Sequence, residues 1–240
     1  MKNRRSRSAF MAWLSWVLLS AVALQCFWLL RIGFMHVSDP GSTAVQRSEI
    51  VRLWRRDGWS MEWYHTPLEH GLITDQLRRA VVASEDGKFF DHHGVDWVAL
   101  KAAWLRNQNA KSDRQVVGGS TITQQLAKNL FLSGERSLLR KAQELVITQF
   151  LELLLSKRQI LDIYLNHVEW GEGIFGAEQA SQAYFDQSAW TLNAAQAARL
   201  AVMLPSPKRF EDNPNSRYLR RRSDIIRQRM RDVAVPKGTK

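Results

Sequence analysis

The first long apolar run of the chain covers residues 9–30, AFMAWLSWVLLSAVALQCFWLL, whose only polar members are Ser15, Ser20 and Gln25. As an α-helix, roughly 22 residues span about 33 Å, which is enough to cross a hydrocarbon core of about 30 Å. The pattern therefore predicts a transmembrane helix.

The charges on either side of this run predict its orientation. Cations before it outnumber those just after it, the former being Lys2, Arg4, Arg5 and Arg7 and the latter Arg31 and Arg47. This asymmetry places residues 1–8 in the cytoplasm and the rest of the chain outside. A cleaved signal peptide is the alternative, because residues 21–23 resemble a cleavage site. The apolar run continues beyond that site to Leu30, so we expect a retained anchor.

After the span the pattern changes twice. Residues 31–67 show little periodicity and are expected to form a connector, with short strands near 50–54 and 61–64. From residue 68 the pattern becomes helical, which gives a predicted domain over 68–232 and a tail over 233–240. We find no sustained strand alternation, and we expect this domain to be mainly α-helical.

Helix-start signals mark the polar residues of most interest. Thr74 caps a predicted helix that ends at the acidic pair Glu85 and Asp86, where the negative end of the helix dipole favours protonation. Thr121 and Gln124 form a capping box after two glycines, which predicts a helix start that receives an anion or is simply capped.

Two long helical stretches follow, with apolar residues at every third or fourth position. Arg140, Lys141 and Glu144 share one face of the first of these helices, because they lie three and four residues apart. A further helix is expected from Thr191 to Pro205.

Charge and cysteine content narrow the function classes. The formal net charge of +11 favours anionic partners such as acidic lipid headgroups, phosphorylated substrates or nucleic acid. No helix-turn-helix, zinc-finger or RRM pattern is present, and we expect no nucleic-acid partner. The only cysteine, Cys26, lies in the apolar run, so packing rather than an intrachain disulfide must hold the fold.

Several segments, in this order, resemble the motifs of the peptidoglycan glycosyltransferases, glycosyltransferase family 51. They are EDGKFFDHHG at 85–94, GGSTITQQLAKN at 118–129, RKAQE at 140–144 and KRQILDIYLN at 157–166. The last motif has Asp162 where Glu is usual. The resemblance runs from about Leu68 to Met230, and the motifs together are far more specific than any one alone.

This resemblance implies a lysozyme-like glycosyltransferase domain behind a single transmembrane helix. The chain lacks the S-x-x-K, S-D-N and K-T-G set of a transpeptidase, so it is similar to the monofunctional members. The resemblance also implies a bacterial inner-membrane protein with a periplasmic catalytic domain. Lipid II, the growing lipid-linked glycan and the membrane are the implied partners, together with proteins of cell-wall synthesis or division.

The implied reaction transfers the lipid-pyrophosphate-linked glycan to the 4-hydroxyl of lipid II, with inversion. Glu85 is expected to be the general base, Glu144 a second essential carboxylate near the leaving phosphate or orienting cations, and Asp86 a supporting residue. His92 is expected to fix the turn of its motif rather than bind zinc. The expected pyrophosphate and sugar contacts are Ser120, Thr121, Gln124, Gln125, Lys128, Asn129, Arg136, Arg140 and Lys141.

The resemblance implies one metal cofactor, and two other functions remain as alternatives. Mg²⁺ or another divalent cation is implied as an aid to the leaving pyrophosphate, without an organic cofactor and without evident ligands. A lytic transglycosylase or lysozyme-type hydrolase is the rival enzyme, although such an enzyme has no need for clustered cations. A membrane-tethered scaffold with a degenerate site is the non-enzymatic alternative.

The sequence leaves two alternatives for a set of apolar side chains between the first two motifs. These side chains either form a mobile lid that dips into the membrane interface or pack in the core. They are Trp97, Leu100, Trp104 and Leu105.

Overall fold

The computed structural model describes residues 2–69, 72–108, 118–132, 134–135, 137–213 and 216–236. Within these residues the chain forms eleven α-helices and one small sheet, which confirms the mainly α prediction. The chain divides into two compact units, residues 1–39 and 40–240.

The first unit is dominated by helix α1, Lys2–Phe34. Its segment Phe10–Phe34 is long and apolar enough to cross a membrane and is almost entirely exposed. A signal sequence near an N-terminus has the same properties, so the choice of a retained anchor stays a prediction.

The second unit contains the other helices and three short strands. The helices are α2 Ala44–Asp57, α3 Asp75–Glu85, α4 Trp97–Gln108, α5 Ile122–Phe131, α6 Leu138–Leu154, α7 Lys157–His167, α8 Ala177–Phe185, α9 Ala194–Met203, α10 Pro207–Glu211 and α11 Arg217–Arg229. The strands are β1 Tyr64–His65, β2 Glu169–Gly171 and β3 Ile174–Phe175. Strand β3 lies in the middle of the sheet, parallel to β1 and antiparallel to β2.

Two packing groups build the core of this unit. Helix α3 packs against α9 and α11, and α5 packs against α6 and α7. Their contacts exclude water from apolar side chains that include Leu77, Val81, Ile122, Leu126, Ile147, Leu151, Ile160 and Leu200. Side chains at the end of α3 and the start of α5 contact one another across these groups, and this junction positions the site.

Capping residues set the helix boundaries at the junction. Thr74 accepts a hydrogen bond from the Gln76 N–H at the start of α3, and Thr121 and Gln124 form the predicted capping box of α5. Since each cap satisfies backbone donors that a helix leaves without partners, it fixes where the helix begins.

A glycine allows the turn after α3 to approach α6. Gly94 has a φ of +82°, and a Cβ atom there would lie 2.7 Å from Cγ2 of Thr148. A larger residue is therefore excluded both by backbone conformation and by space.

Two sequence-based expectations are wrong. Residues 50–54 lie in helix α2 rather than in a strand, because Thr43 and Gln46 form a capping box that the apolar pattern does not reveal. Helix α9 begins after Asn193 rather than at Thr191, since the Asn193 side chain accepts hydrogen bonds from the first turn.

Candidate active site

Glu85 is the last residue of α3 and is held by a neutral side chain. Gln125 Nε2 donates to Glu85 Oε2 at 3.2 Å, and the Tyr164 hydroxyl donates to Gln125 Oε1 at 2.8 Å. Because the tyrosine occupies the amide oxygen, the amide nitrogen of Gln125 must face Glu85. Tyr164 thus orients the partner of the predicted base, a role that the sequence analysis did not assign.

The pKa of Glu85 is raised, chiefly because burial disfavours the charged carboxylate. The nearby charge of Asp86 acts in the same direction, whereas hydrogen bonds from Gln125 and Ser84 and the charge of Arg222 act against it. The direction agrees with the sequence-based expectation, but burial rather than the helix dipole is the main cause. A carboxylate with a raised pKa is better suited to accept a proton near neutral pH.

Asp86, which caps the end of α3, faces the start of α5. Its Oδ2 accepts a hydrogen bond from the Ile122 N–H at 3.1 Å, and His92 Nε2 lies 3.0 and 3.1 Å from the two carboxylate oxygens. Asp86 therefore links the end of α3 to the start of α5 and to His92, and the supporting role expected for Asp86 stays a prediction.

Hydrogen-bond donors at the start of α5 therefore already have partners within the protein. Asp86 supplies the negative charge, the Thr121 N–H donates to Gln124, and the Thr121 hydroxyl donates to the carbonyl of Gly94 at 2.6 Å. The expectation that substrate anion binds at this helix end is therefore corrected, because the protein's own carboxylate lies there.

A cleft of about 520 Å³ lies beside Gln125 and collects most of the predicted binding residues. Those that line it are Ser120, Gln124, Gln125, Lys128, Asn129, Arg140 and Lys141, and Glu144, predicted as a catalytic carboxylate, lines it as well. Glu85, Asp86 and Thr121 are not among its lining residues, although Glu85 contacts the cleft through Gln125. Arg136 lies outside the described residues.

Glu144 is buried and contacts two cations of the same helix, α6. It accepts a hydrogen bond from Arg140 Nη1 at 2.8 Å and another from the Lys141 ammonium. Since both contacts run along one helix face, Glu144 holds the two cations in place. The geometry favours the cation-orienting role over direct contact with the phosphate.

Lys128 differs from these two cations because it forms no ion pair with any described residue. It remains exposed to the cleft, while the surrounding walls reduce its hydration and lower its pKa. Arg140 and Lys141 act in the same direction, and Glu144 opposes them. Lys128 is therefore the cation most available to an anionic ligand.

The carboxylates near the cleft do not fit a divalent-cation site. Mg²⁺ needs several oxygen ligands, whereas Glu144 is bonded to two cations, Asp86 to His92 and a backbone N–H, and Glu169 to Lys208. No group of three or more His, Cys, Asp or Glu side chains suited to a metal occurs within the described parts of the chain.

Two further surfaces of the cleft were missed by sequence reasoning. Val45 of α2, which lies in the segment expected to be a connector, lines it, and so does Glu169 of β2. No spacing or motif singles out either residue, because both reach the cleft through tertiary packing. The remaining lining residues are Gly134, Val168, Leu204 and Pro207.

The apolar set on α4 is exposed. Trp97 and Trp104 have exposed fractions of 68% and 60%, and Leu100 and Leu105 are exposed as well. Core packing of this set is therefore contradicted, and membrane contact stays a proposal.

Comparison with known proteins gives one consistent family. The family model described as Transglycosylase matches residues 59–231. The chain is 48% identical to the biosynthetic peptidoglycan transglycosylase of Janthinobacterium sp. (strain Marseille), over 91% of this chain and 93% of that protein. Proteins of the same name from Bordetella avium (strain 197N) and Paraburkholderia xenovorans (strain LB400) are 47% and 45% identical, over at least 96% of either partner. The match is consistent with the lysozyme-like helical fold expected from the motifs, and the chain belongs to the transglycosylase family.

Proposed function

We propose that the chain is a peptidoglycan glycosyltransferase that polymerises glycan chains from lipid II. The observation that carries the proposal is the contact of Glu85 with Gln125, which also lines the cleft that contains Lys128, Arg140 and Lys141. A base and an anion-binding region thus lie next to each other, as transfer from a pyrophosphate leaving group requires.

The reaction needs no reactant other than the lipid-linked donor and the lipid II acceptor. The 4-hydroxyl oxygen of the acceptor sugar attacks the anomeric carbon of the donor, and Glu85 takes the hydroxyl proton. The bond from the anomeric carbon to the pyrophosphate oxygen breaks with inversion, and the electron pair leaves on polyprenyl pyrophosphate.

The cleft cations stabilise the charge that develops on this leaving group. Lys128 is the available point charge, whereas Arg140 can bind two phosphate oxygens at once while Glu144 keeps it in place. Dependence on Mg²⁺ is expected from the family resemblance alone, because the carboxylates near the cleft do not fit a metal site. Activity measured with and without a chelator tests this expectation.

Membrane association follows from the same substrates. We propose that α1 anchors the chain in the bacterial inner membrane with residues 1–8 in the cytoplasm, so that enzyme and polyprenyl-linked substrates share one layer. The exposed α4 side chains, among them Trp97 and Trp104, are proposed to contact the membrane interface. Cell-wall synthesis or division proteins remain proposed partners.

Purified full-length protein with labelled lipid II tests the function. A glycan polymerase consumes lipid II and produces growing chains, whereas a lytic or lysozyme-type enzyme shortens preformed glycan and leaves lipid II unchanged. Shortening without growth, or binding without either reaction, would contradict the proposal.

A further inference from the structure

Glu169 is a carboxylate of the cleft to which neither the sequence motifs nor the proposed mechanism assigns a role. It begins β2, directly after α7, and lines the same cleft as Lys128 and Glu144. Its side chain is only 18% exposed. A carboxylate withdrawn from water in this way needs compensating partners.

One cation provides this compensation. Lys208 Nζ lies 3.0 Å from Glu169 Oε1 and also donates to Glu49 Oε1 at 2.6 Å. Glu49 is held in turn by Arg52 of the same helix, with Nε 2.8 Å from Oε2. The Glu169 carboxylate is therefore fixed at the cleft by a short chain of ion pairs that begins on α2.

The carboxylate retains capacity to bind a ligand. Among the described residues its only ion pair is with Lys208, and this pair involves the buried oxygen Oε1. The second oxygen, Oε2, keeps lone pairs that can accept hydrogen bonds from a ligand. Burial raises the pKa of Glu169, and the contact with Lys208 opposes this effect. Donors on a bound ligand would stabilise the charged form further.

The charges of the cleft determine which ligand group can meet this carboxylate. Glu169 repels a pyrophosphate, which is attracted instead to the cations of α5 and α6. Sugar hydroxyls and the N–H of an acetamido group are neutral donors that a carboxylate accepts well.

We infer that Glu169 is a substrate-binding residue that accepts a hydrogen bond from a hydroxyl or acetamido N–H of the sugar, and so orients the pyrophosphate toward Lys128. This inference rests on the proposed glycosyltransferase function and specifies how the same cleft positions its substrate. Lys208 acts through Glu169 and is a positioning residue.

The test compares Glu169→Gln and Glu169→Ala with Glu172→Gln in the full-length protein. Glu172 is the matched control, because it pairs with Arg52 and Arg56 of the same charged network but does not line the cleft. Loss of a hydrogen bond to a charged acceptor weakens binding by about tenfold or more. We expect KM for lipid II to rise by about that factor in Glu169→Ala and less in Glu169→Gln, with kcat changed by less than about twofold.

A second readout separates binding from turnover. In the Glu85→Gln background, adding Glu169→Ala should weaken equilibrium binding of lipid II by a similar factor, whereas adding Glu172→Gln should not. Unchanged KM and binding in Glu169→Ala, or equal effects of Glu172→Gln, would overturn the inference. Failure of the unmodified enzyme to polymerise lipid II would instead overturn the proposed function, so the two failures are distinguishable.

Discussion

Glu85 and Glu144 are both acidic side chains beside one cleft, but their partners differ. Glu85 has a neutral amide as its hydrogen-bond donor, and burial raises its pKa. Glu144 contacts Arg140 and Lys141, two cations. Because burial raises the pKa of Glu85, the structure favours this residue for proton transfer. Glu144 contacts two cations and is favoured for orienting them.

The pKa of Glu85 also has a consequence for stability. A folded-state pKa above the ordinary value of 4.5 means that the folded protein binds this proton more tightly than the unfolded chain. The free energy of unfolding therefore falls as pH rises from about 4.5 through the raised pKa, and the charged side chain is destabilising above it.

We accordingly expect Glu85→Gln to unfold with an equal or higher free energy than the unmodified protein at neutral pH. The difference should disappear below about pH 4, where both side chains are neutral. Denaturant unfolding at the two pH values measures it. A variant that is clearly less stable at neutral pH would show that the charged form of Glu85 is stabilising.

Sequence motifs identify which residues have a role, but they do not show which neighbours each side chain faces. Glu85, Lys128 and Glu144 were predicted, and the structure brings them to one region. That Asp86 turns to the start of α5 depends on how two helices pack, which no spacing along the chain specifies. Glu169 reaches the cleft for the same reason.

At the scale of elements, α3 and α7 are joined by a buried ion pair. Arg78 contacts Asp162 through Nε at 2.7 Å and Nη2 at 3.1 Å, and both side chains are less than 5% exposed. Asp162, which stands where Glu is usual in the motif, therefore makes a complete bidentate contact despite its shorter side chain.

Removing one member of this pair should be costly. We expect Asp162→Ala to lower the free energy of unfolding by about 3–5 kcal/mol, because it leaves the Arg78 charge buried without its main partner. Asp75→Ala is the matched control, since Asp75 contacts the same arginine but is 53% exposed, and it should cost less than about 1 kcal/mol. Equal losses in both variants, measured by chemical denaturation, would contradict this account.

The prediction of elements succeeded where apolar periodicity and caps agree. Helices α3 and α5 were expected from Thr74 and Thr121, and both begin directly after these residues. Helix α2 was missed because two of its three buried residues, Gln46 and Glu49, are polar and resemble a solvated segment. Tertiary partners such as Lys208 make that burial acceptable, and these are not visible in a local pattern.

At the scale of the whole molecule, the chain combines an apolar helical unit over residues 1–39 with a compact unit over 40–240. The second unit contains the cleft and its charged residues. Since the motifs and the packed core lie within it, this unit should fold without the first.

We expect deletion of residues 1–39 to release most of the protein from membranes, because only the proposed α4 contact remains, while lipid II polymerisation in detergent persists at a reduced rate. The reason is that α1, as the proposed anchor, keeps the enzyme in the layer that contains its proposed substrates, but contributes no predicted catalytic residue. Membrane sedimentation and the detergent assay measure the two effects.

The full-length control distinguishes an anchor from a signal peptide. Intact protein recovered from the membrane fraction should retain Phe10–Phe34, as determined by mass spectrometry. Recovery of a chain that begins after residue 23 would show cleavage and would contradict the anchor.

Polymerisation of lipid II by the unmodified protein and by Glu85→Gln, with lipid II binding measured in parallel, tests whether Glu85 is the catalytic base. We expect glycan growth with the unmodified protein, and near-normal binding with a loss of rate of at least about 100-fold in the variant. A variant that polymerises at the unmodified rate would contradict the assignment of Glu85 as the base.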